Sequence, residues 1–307
     1  MAQSATLTDV AAYQAYVQDF HDELIVRAFY SPDTVQLSTA HEGVKGKKTL
    51  TRLKFVKGKA VAWKSDFVAA TGAVTLHPRT IEVEAIKRDL SFVPQEFEDT
   101  YLGEFRKKGQ NPGEDLPFEG QILNSILGGH AEELEEAFWQ AVKAGSITPG
   151  TTPMAECFDG FLQIIIDEIT GGGIPGSAVI PVPGGAWSMV NVVETVENMW
   201  KALGPSYKKM AVDVYMSWNN FTLFNQAYRE LYGFNFGSTE AARKKLDFSM
   251  NANLVALPGM GESDRVVMTP RGNLHVAYDD LSDLNMFEFE KSKRQMDFWM
   301  DFKVGVQ

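Results

Sequence analysis

The chain has 307 residues and a formal net charge of −11, so it is long enough for a large core or two domains, and its composition is that of an ordinary globular protein. The acidic balance argues against a general nucleic-acid binder, and the single cysteine, Cys157, excludes an internal disulfide framework and cysteine-rich metal sites. No apolar run is long enough to span a bilayer, and the N-terminus lacks the basic-then-apolar layout of a signal peptide, so folding in a cytoplasm is expected.

Residues 1–6 are small and polar. From Leu7 to Tyr30, Val10, Tyr13, Phe20, Leu24 and Phe29 recur at three- and four-residue spacing, which predicts a helix that Ser31-Pro32 ends. Next comes a stretch of opposite character, Gly43 to Lys64. It holds eight basic residues, Lys45, Lys47, Lys48, Arg52, Lys54, Lys57, Lys59 and Lys64, and no acidic one. The remainder of the chain therefore sums to −19, the difference between −11 and the +8 of this stretch. Leu53 and Phe55 alternate with charged neighbours, as do Val61 and Trp63 after Lys57-Gly58-Lys59, which predicts a β-hairpin with a glycine-containing turn. A ribbon so charged cannot bury both faces in its own core, and an isolated hairpin is marginally stable. It is expected to project and to order against another surface. Lysines on an edge strand also discourage aggregation, the plainer reading of the same pattern.

Thr80 to Phe92 reads as a strand between Pro78 and Pro94, with Ile81 and Val83 alternating against Glu82 and Glu84. Residues 107–117 form a loop. Phe118 to Lys143 is the longest helical candidate, with Ile122, Ile126, Leu134, Phe138, Trp139 and Val142 on its stripe and Gly128-Gly129 as a kink candidate. Glu132, Glu133, Glu135 and Glu136 give its C-terminal half an acidic face. Carboxylates so close repel one another on an isolated helix, and a basic partner would relieve them; the plain alternative is a solvated face. Residues 145–153 are a Gly/Thr/Pro linker and a candidate domain boundary.

Beyond the linker, helices and strands alternate. Phe158, Phe161, Leu162, Ile165, Ile166 and Ile169 predict an apolar helix, followed by a Gly/Pro loop from Gly171 to Gly185. Trp187 to Leu203 is a second helix, stopped by Gly204-Pro205, and residues 211–216 are a strand. Asn219 or Asn220 caps a third helix carrying Phe224, Tyr228, Leu231 and Tyr232 and ending at Gly233. Asn253 to Leu257 is a short strand, Pro258 to Ser263 a tight exposed turn, and Arg265 leads into another strand. In the tail every even position from Met296 to Val306 is apolar, which predicts a half-buried strand closing a sheet.

A search for chemistry returns little. His21, His41, His77, His130 and His275 lie far apart, and Gly171 to Gly176 lacks the Gly-Lys-Ser/Thr ending of a phosphate loop. Ser263 is no nucleophile elbow, and Asp167 and Glu168 point to different helix faces. Neither a catalytic residue nor a bound metal or cofactor is expected, although a site assembled from distant residues stays open.

The order of elements resembles the major capsid proteins of tailed bacteriophages, which share the Hong Kong 97-type fold. AECFDGFLQIIIDEI (Ala155 to Ile169) is similar to the helix that opens their axial domain. RVVMTPRGNLHVAYDD (Arg265 to Asp280) resembles the exit from it, and the final FKVGVQ resembles the closing strand. The resemblance implies an α+β fold with an N-terminal arm (1–40), an extended basic hairpin loop (41–77), a peripheral domain (78–155 and 264–307) whose spine helix is 118–143, and an α/β axial domain (156–263). The axial tip, with Pro258 and Gly259, would gather at five- and six-fold axes. It implies hexamers and pentamers in an icosahedral shell around double-stranded DNA held without specific binding. Portal, scaffolding or cement proteins would be the other partners, with no membrane, no enzyme activity, assembly in the host cytoplasm and residence in the virion capsid.

The extended loop would lie over the adjacent subunit near its spine helix, so that Lys45, Lys47, Lys48, Arg52, Lys54, Lys57 and Lys59 face Glu132, Glu133, Glu135 and Glu136. Within the same fold the alternative is an encapsulin, a compartment shell for cargo enzymes; the longer chain and the arm favour the virus. From other classes, a cytosolic α/β enzyme and a nucleic-acid groove reader using the hairpin remain open.

Overall fold

A computed structural model describes residue 20 and residues 23–55, 62–66, 74–93, 118–233, 244–249, 251–279, 287–292 and 295–307. The predicted first helix is seen as a helical turn at residues 23–25 that continues into a π-helical turn, Val26–Tyr30, with Ala28 and Phe29 buried. It stops at Ser31-Pro32 as expected; the rest of the predicted range lies outside the described residues. A short helix, α1 (Asp33–Leu37), leads to strand β1 (Thr39–His41).

The basic stretch does form one arm of an antiparallel ribbon, but its partner lies elsewhere in the sequence. Strand β2 (Lys47–Phe55) pairs with β3 (Val74–Glu82), Lys47 opposite Glu82 and Phe55 opposite Val74. The expected partner was Val61 to Trp63; residues 56–61 lie outside the described residues, and Trp63 stands in no strand. Pro78 sits inside β3. A two-stranded ribbon has two free edges, so a missing N–H is tolerated there. The loop expected to end at 77 therefore runs to Glu82.

Val83 alone separates β3 from β4 (Glu84–Phe92), and its N–H donates to the Gly46 carbonyl at 2.8 Å. The single strand predicted over 80–92 is thus two strands in two different sheets.

The long helix, α2 (Phe118–Gln140), runs unbroken through Gly128-Gly129 and buries Leu123, Leu127, Leu134, Ala137, Phe138 and Trp139. Val142, expected on its stripe, lies beyond its end and is exposed. The next helix, α3 (Phe161–Thr170), begins later than predicted. The reason is Gly160, where a Cβ would stand 2.9 Å from the backbone of Ala137 and Trp139; the chain crosses the end of α2 there and cannot yet coil. Helix α4 (Val192–Ala202) likewise starts after Trp187. Strand β5 (Val212–Met216) precedes α5 (Trp218–Tyr232), whose cap is Ser217 and not an asparagine: its Oγ accepts from the Asn220 N–H at 3.4 Å. Gly233 ends α5 at φ 74°, a left-handed value glycine adopts freely. Phe224 and Tyr228 point into the core, whereas Leu231 and Tyr232 are exposed, against expectation.

Strands β6 (Ala252–Ala256) and β7 (Val267–Pro270) flank β5, parallel and antiparallel respectively. Because β7 completes this small sheet, a domain boundary at 263 falls one strand too early. The larger sheet takes β8 (His275–Tyr278), β9 (Phe287–Ser292) and β10 (Gln295–Val306) in the order β1-β8-β10-β4, with β9 also beside β10. The tail alternation holds: Met296, Phe298, Met300, Phe302, Val304 and Val306 are all buried, packed with α2 in the main core. A second core, with Val193, Val196, Val214, Phe224 and Leu254, lies within the small sheet and its helices.

Candidate assembly surfaces

The β2–β3 ribbon presents two unlike faces, because residues opposite one another in an antiparallel pair share a face. At its root Ile81 is buried with Val44, Val83 and Ala277, with Leu50 packed against them. The same face turns basic groups onto the chain's own body. Arg52 donates to the Tyr207 hydroxyl at 3.3 Å, Arg79 pairs with Glu168 at 3.0 Å, and Lys48 stands 3.2 Å from His41 Nδ1. His41 in turn stacks on His275, with ring nitrogens 3.1 Å apart. Burial lowers the pKa of both imidazoles, with the nearby Lys48 charge adding to the effect at His41. The other face carries Val74 and Leu76, which are 52% and 61% exposed; Trp63, outside any strand, is 90% exposed. Lys47 pairs with Glu82 across the strands, Lys64 pairs with Asp66, and Lys45 is exposed. Lys57 and Lys59 lie outside the described residues, as does the side chain of Lys54.

The four glutamates of α2 do not form one exposed face. Glu132 and Glu136 are exposed, and Glu133 pairs with Arg88 of β4. Glu135 is buried, which corrects its assignment to a surface between subunits. Its carboxylate accepts from the Thr34 N–H at 3.0 Å and the Thr34 hydroxyl at 2.6 Å, and the Trp139 indole N–H donates to Thr34 Oγ1 at 2.7 Å. Burial pushes the Glu135 pKa up, and the Thr34 hydrogen bonds oppose that rise. This knot joins the start of α1 to α2.

Pro258 and Gly259 also lie elsewhere than expected. They open a short 3-10 turn docked on α2; Pro258 is exposed, but Gly259 is buried, and a Cβ on Gly259 would come 2.2 Å from the Glu135 carbonyl oxygen. Gln140 clamps the turn by donating to the Gly259 carbonyl at 2.8 Å. This segment is a seam between the two parts of the chain and not a free tip.

Between β4, α2 and the 147–154 loop lies a half-open cleft of about 470 Å³. Fully buried His130 lines it, edge-on to Phe29 and Phe302, and neither ring nitrogen has a hydrogen-bond partner among the described residues. Burial, aided by the Arg88 charge, drives its pKa down to about 3. Cys157, also lining the cleft, is a buried free thiol whose pKa is raised by burial. Among the described residues no group of three or more His, Cys, Asp or Glu comes together as a metal site, and no helix is long and apolar enough to cross a membrane.

The outer face of the larger sheet was not singled out in the sequence. The register sets Trp299 between Asp89 of β4 and Glu288 of β9, and Asp297 opposite Glu290. Asp301 follows on the same side, opposite Lys87, which itself pairs with Asp89. Among the described residues Glu288, Glu290 and Asp297 make no ion pair, whereas Asp301 interacts electrostatically with Lys87. A partly exposed indole is thus ringed by carboxylates. Odd positions of the tail show Asp297, Trp299 and Asp301 in sequence, but only strand pairing brings Glu288 and Glu290 alongside.

No protein-family model matches the sequence, and no curated protein does. Solved structures do match in fold. A chain of the satellite phage P4 procapsid that includes the size determination (Sid) protein is 14% identical, at TM-score 0.58, over 97% of this chain and 92% of that one. A capsid chain of the native GTA particle is 13% identical, at TM-score 0.53, over 88% and 90%. A chain from Microbacterium phage Oxtober96 is 8% identical, at TM-score 0.51, over 90% and 84%. At these identities the likeness is one of fold, mixed helix and sheet, shared along almost the full length of each chain.

Proposed function

We propose that this chain is a major capsid protein of a tailed bacteriophage, assembling as hexamers and pentamers into an icosahedral shell around double-stranded DNA. The observation that supports this reading most is the capsid-type fold spanning nearly the whole chain, ribbon and closing strand included. The ribbon supplies the physical motive. Its outward face holds Val74 and Leu76 in water, and a two-stranded ribbon gains its order from what covers it. The role is structural and not catalytic. At −11 per subunit the wall carries the same sign as duplex DNA, a dense line of negative charge, so it encloses that DNA without gripping it. Portal, scaffolding or cement proteins complete the set of partners in this reading, and the capsid of the virion is the final location.

The purified chain should form closed shells, or hexamers and pentamers, by electron microscopy and light scattering. A monomer at every salt and crowding condition would overturn the proposal. The encapsulin alternative shares the fold and is separated by contents: nucleic acid inside particles from the producing cell supports the virus, and an enclosed enzyme supports the compartment.

A further inference from the structure

We infer that Lys48, His41 and His275 form an acid-released latch that fixes the direction in which the ribbon leaves the larger sheet. The three side chains come from three strands. His41 of β1 and His275 of β8 share one face of the sheet, because the strands pair in parallel with Thr39 opposite His275 and His41 opposite Ala277. Lys48 stands on β2 opposite Ile81, which is buried with Val44, Val83 and Ala277 at the ribbon root. An ammonium only donates, so at 3.2 Å it calls for the lone pair of His41 Nδ1. The proton of a neutral His41 then sits on Nε2 and is donated to His275 Nδ1, 3.1 Å away. One set of proton positions satisfies the whole chain, and it needs both rings neutral. A proton added to His41 turns an N–H toward the ammonium. A proton added to His275 turns an N–H toward the N–H of His41. Either one breaks a link.

The acids around the latch are engaged elsewhere. Glu42 accepts from the Tyr30 hydroxyl, Glu82 pairs with Lys47, Glu168 with Arg79, and Asp279 with Lys303. The ribbon face toward the rings is itself basic, with Arg52 and Arg79 beside Lys48. Burial opposes protonation of the latched rings, and the Lys48 charge at His41 and the His41 charge at His275 add to it. A released ring regains the ordinary pKa of 6.5, above its latched value, so protons favour release. The latch is therefore complete above about pH 6.5 and is lost as pH falls below it. The apolar root stays covered in both states, so release changes the ribbon's angle and leaves its strand pairing intact. The latch lies within one subunit, and it stands or falls separately from the capsid reading.

The test measures the distance between two spin labels in the dilute, unassembled full-length chain. One label sits on the ribbon at Leu76→Cys and one just before α4 at Val190→Cys, both exposed positions. Cys157→Ser removes the native thiol and keeps a donor for the Pro153 carbonyl. The distance distribution should be narrow at about pH 8, and by about pH 5 the narrow peak should lose most of its population. His130, at about 3, titrates below this range. His41→Gln with His275→Gln should give one distribution at both pH values. Lys48→Met, an exposed change that leaves the core alone, should show the acid distribution already at about pH 8. His77→Gln, a ribbon histidine outside the latch, should keep the full response. Melting of each chain at both pH values checks that the fold persists. A distribution that ignores pH overturns the latch, and so does an equal response in the double histidine variant. Lys48→Met behaving like the parent chain, or loss of the response in His77→Gln, also overturns it. A chain that never assembles would overturn the capsid reading and leave each of these outcomes readable.

Discussion

The ribbon β2–β3 and the closing strand β10 share one backbone geometry and meet at the same corner of the molecule, yet they stand in opposite relations to the fold. In β10 each even side chain is buried, and the strand pairs with β4 on one side and with β9 and β8 on the other. In the ribbon only Ile81 and its neighbours at the root are covered, while Val74 and Leu76 stand in water. The difference separates two jobs. Strand β10 holds the subunit together, and the ribbon holds little of it. A residue's effect on the isolated chain and its effect on assembly should therefore run in opposite order along these two elements.

Truncation in β10 offers the largest effect. Phe298 is fully buried and packs against Phe289 with ring centroids 5.0 Å apart. Phe298→Ala should destabilise the subunit by about 3–5 kcal/mol, the usual cost of emptying a packed aromatic site. Denaturant unfolding measures it, and a loss below about 1 kcal/mol would break the contrast.

Acid offers an intermediate effect on the same region, through His130 packed on Phe302 of β10. Its folded pKa, about 3, lies below the unfolded value near 6.5, so between those values the unfolded chain binds the extra proton. Its contribution is therefore complete above about pH 6.5 and is lost as pH falls toward about 3, amounting to a few kcal/mol at most. Replacing the ring by Phe, which keeps an aromatic beside Phe29, should flatten stability across that window. An unchanged pH slope in His130→Phe would show that other groups set it.

Ribbon substitution offers the smallest effect on the subunit. Leu76→Ser should leave unfolding within about 0.5 kcal/mol of wild type, as exposed positions do. Shell yield should nevertheless fall. A strongly destabilised monomer would mean that the ribbon is covered by its own subunit.

Strand β10 was readable because period-two alternation is local, as was the apolar face of α2. The ribbon was half readable: the charge of β2 announced a projecting element, but the Lys57-Gly58-Lys59 turn suggested the wrong partner, because pairing with β3 spans a long intervening segment. Glu135 and Gly259 were misread for a related reason. Both look like surface in sequence, a glutamate among glutamates and a glycine in a Pro-Gly turn, and both are buried because the 258–260 turn docks on α2 from more than a hundred residues away. The acid-ringed face around Trp299 was only partly visible, because the tail shows Asp297 and Asp301 but not the register that adds the rest. Its acids come from three strands, and only the pairing of β4, β9 and β10 brings them together.

The single residue between ribbon and sheet has a mechanical meaning. Val83 joins β3 directly to β4, and β4 is bonded to β10 through nine successive residue pairs. A pull on the ribbon along its length enters β4 along the strand axis, at right angles to the antiparallel hydrogen bonds. The bonds are then loaded in shear, all together, and not peeled one after another from an end. On the proposed capsid reading, tension handed from one subunit to the next through the ribbon would arrive at the ladder in the direction in which it yields last.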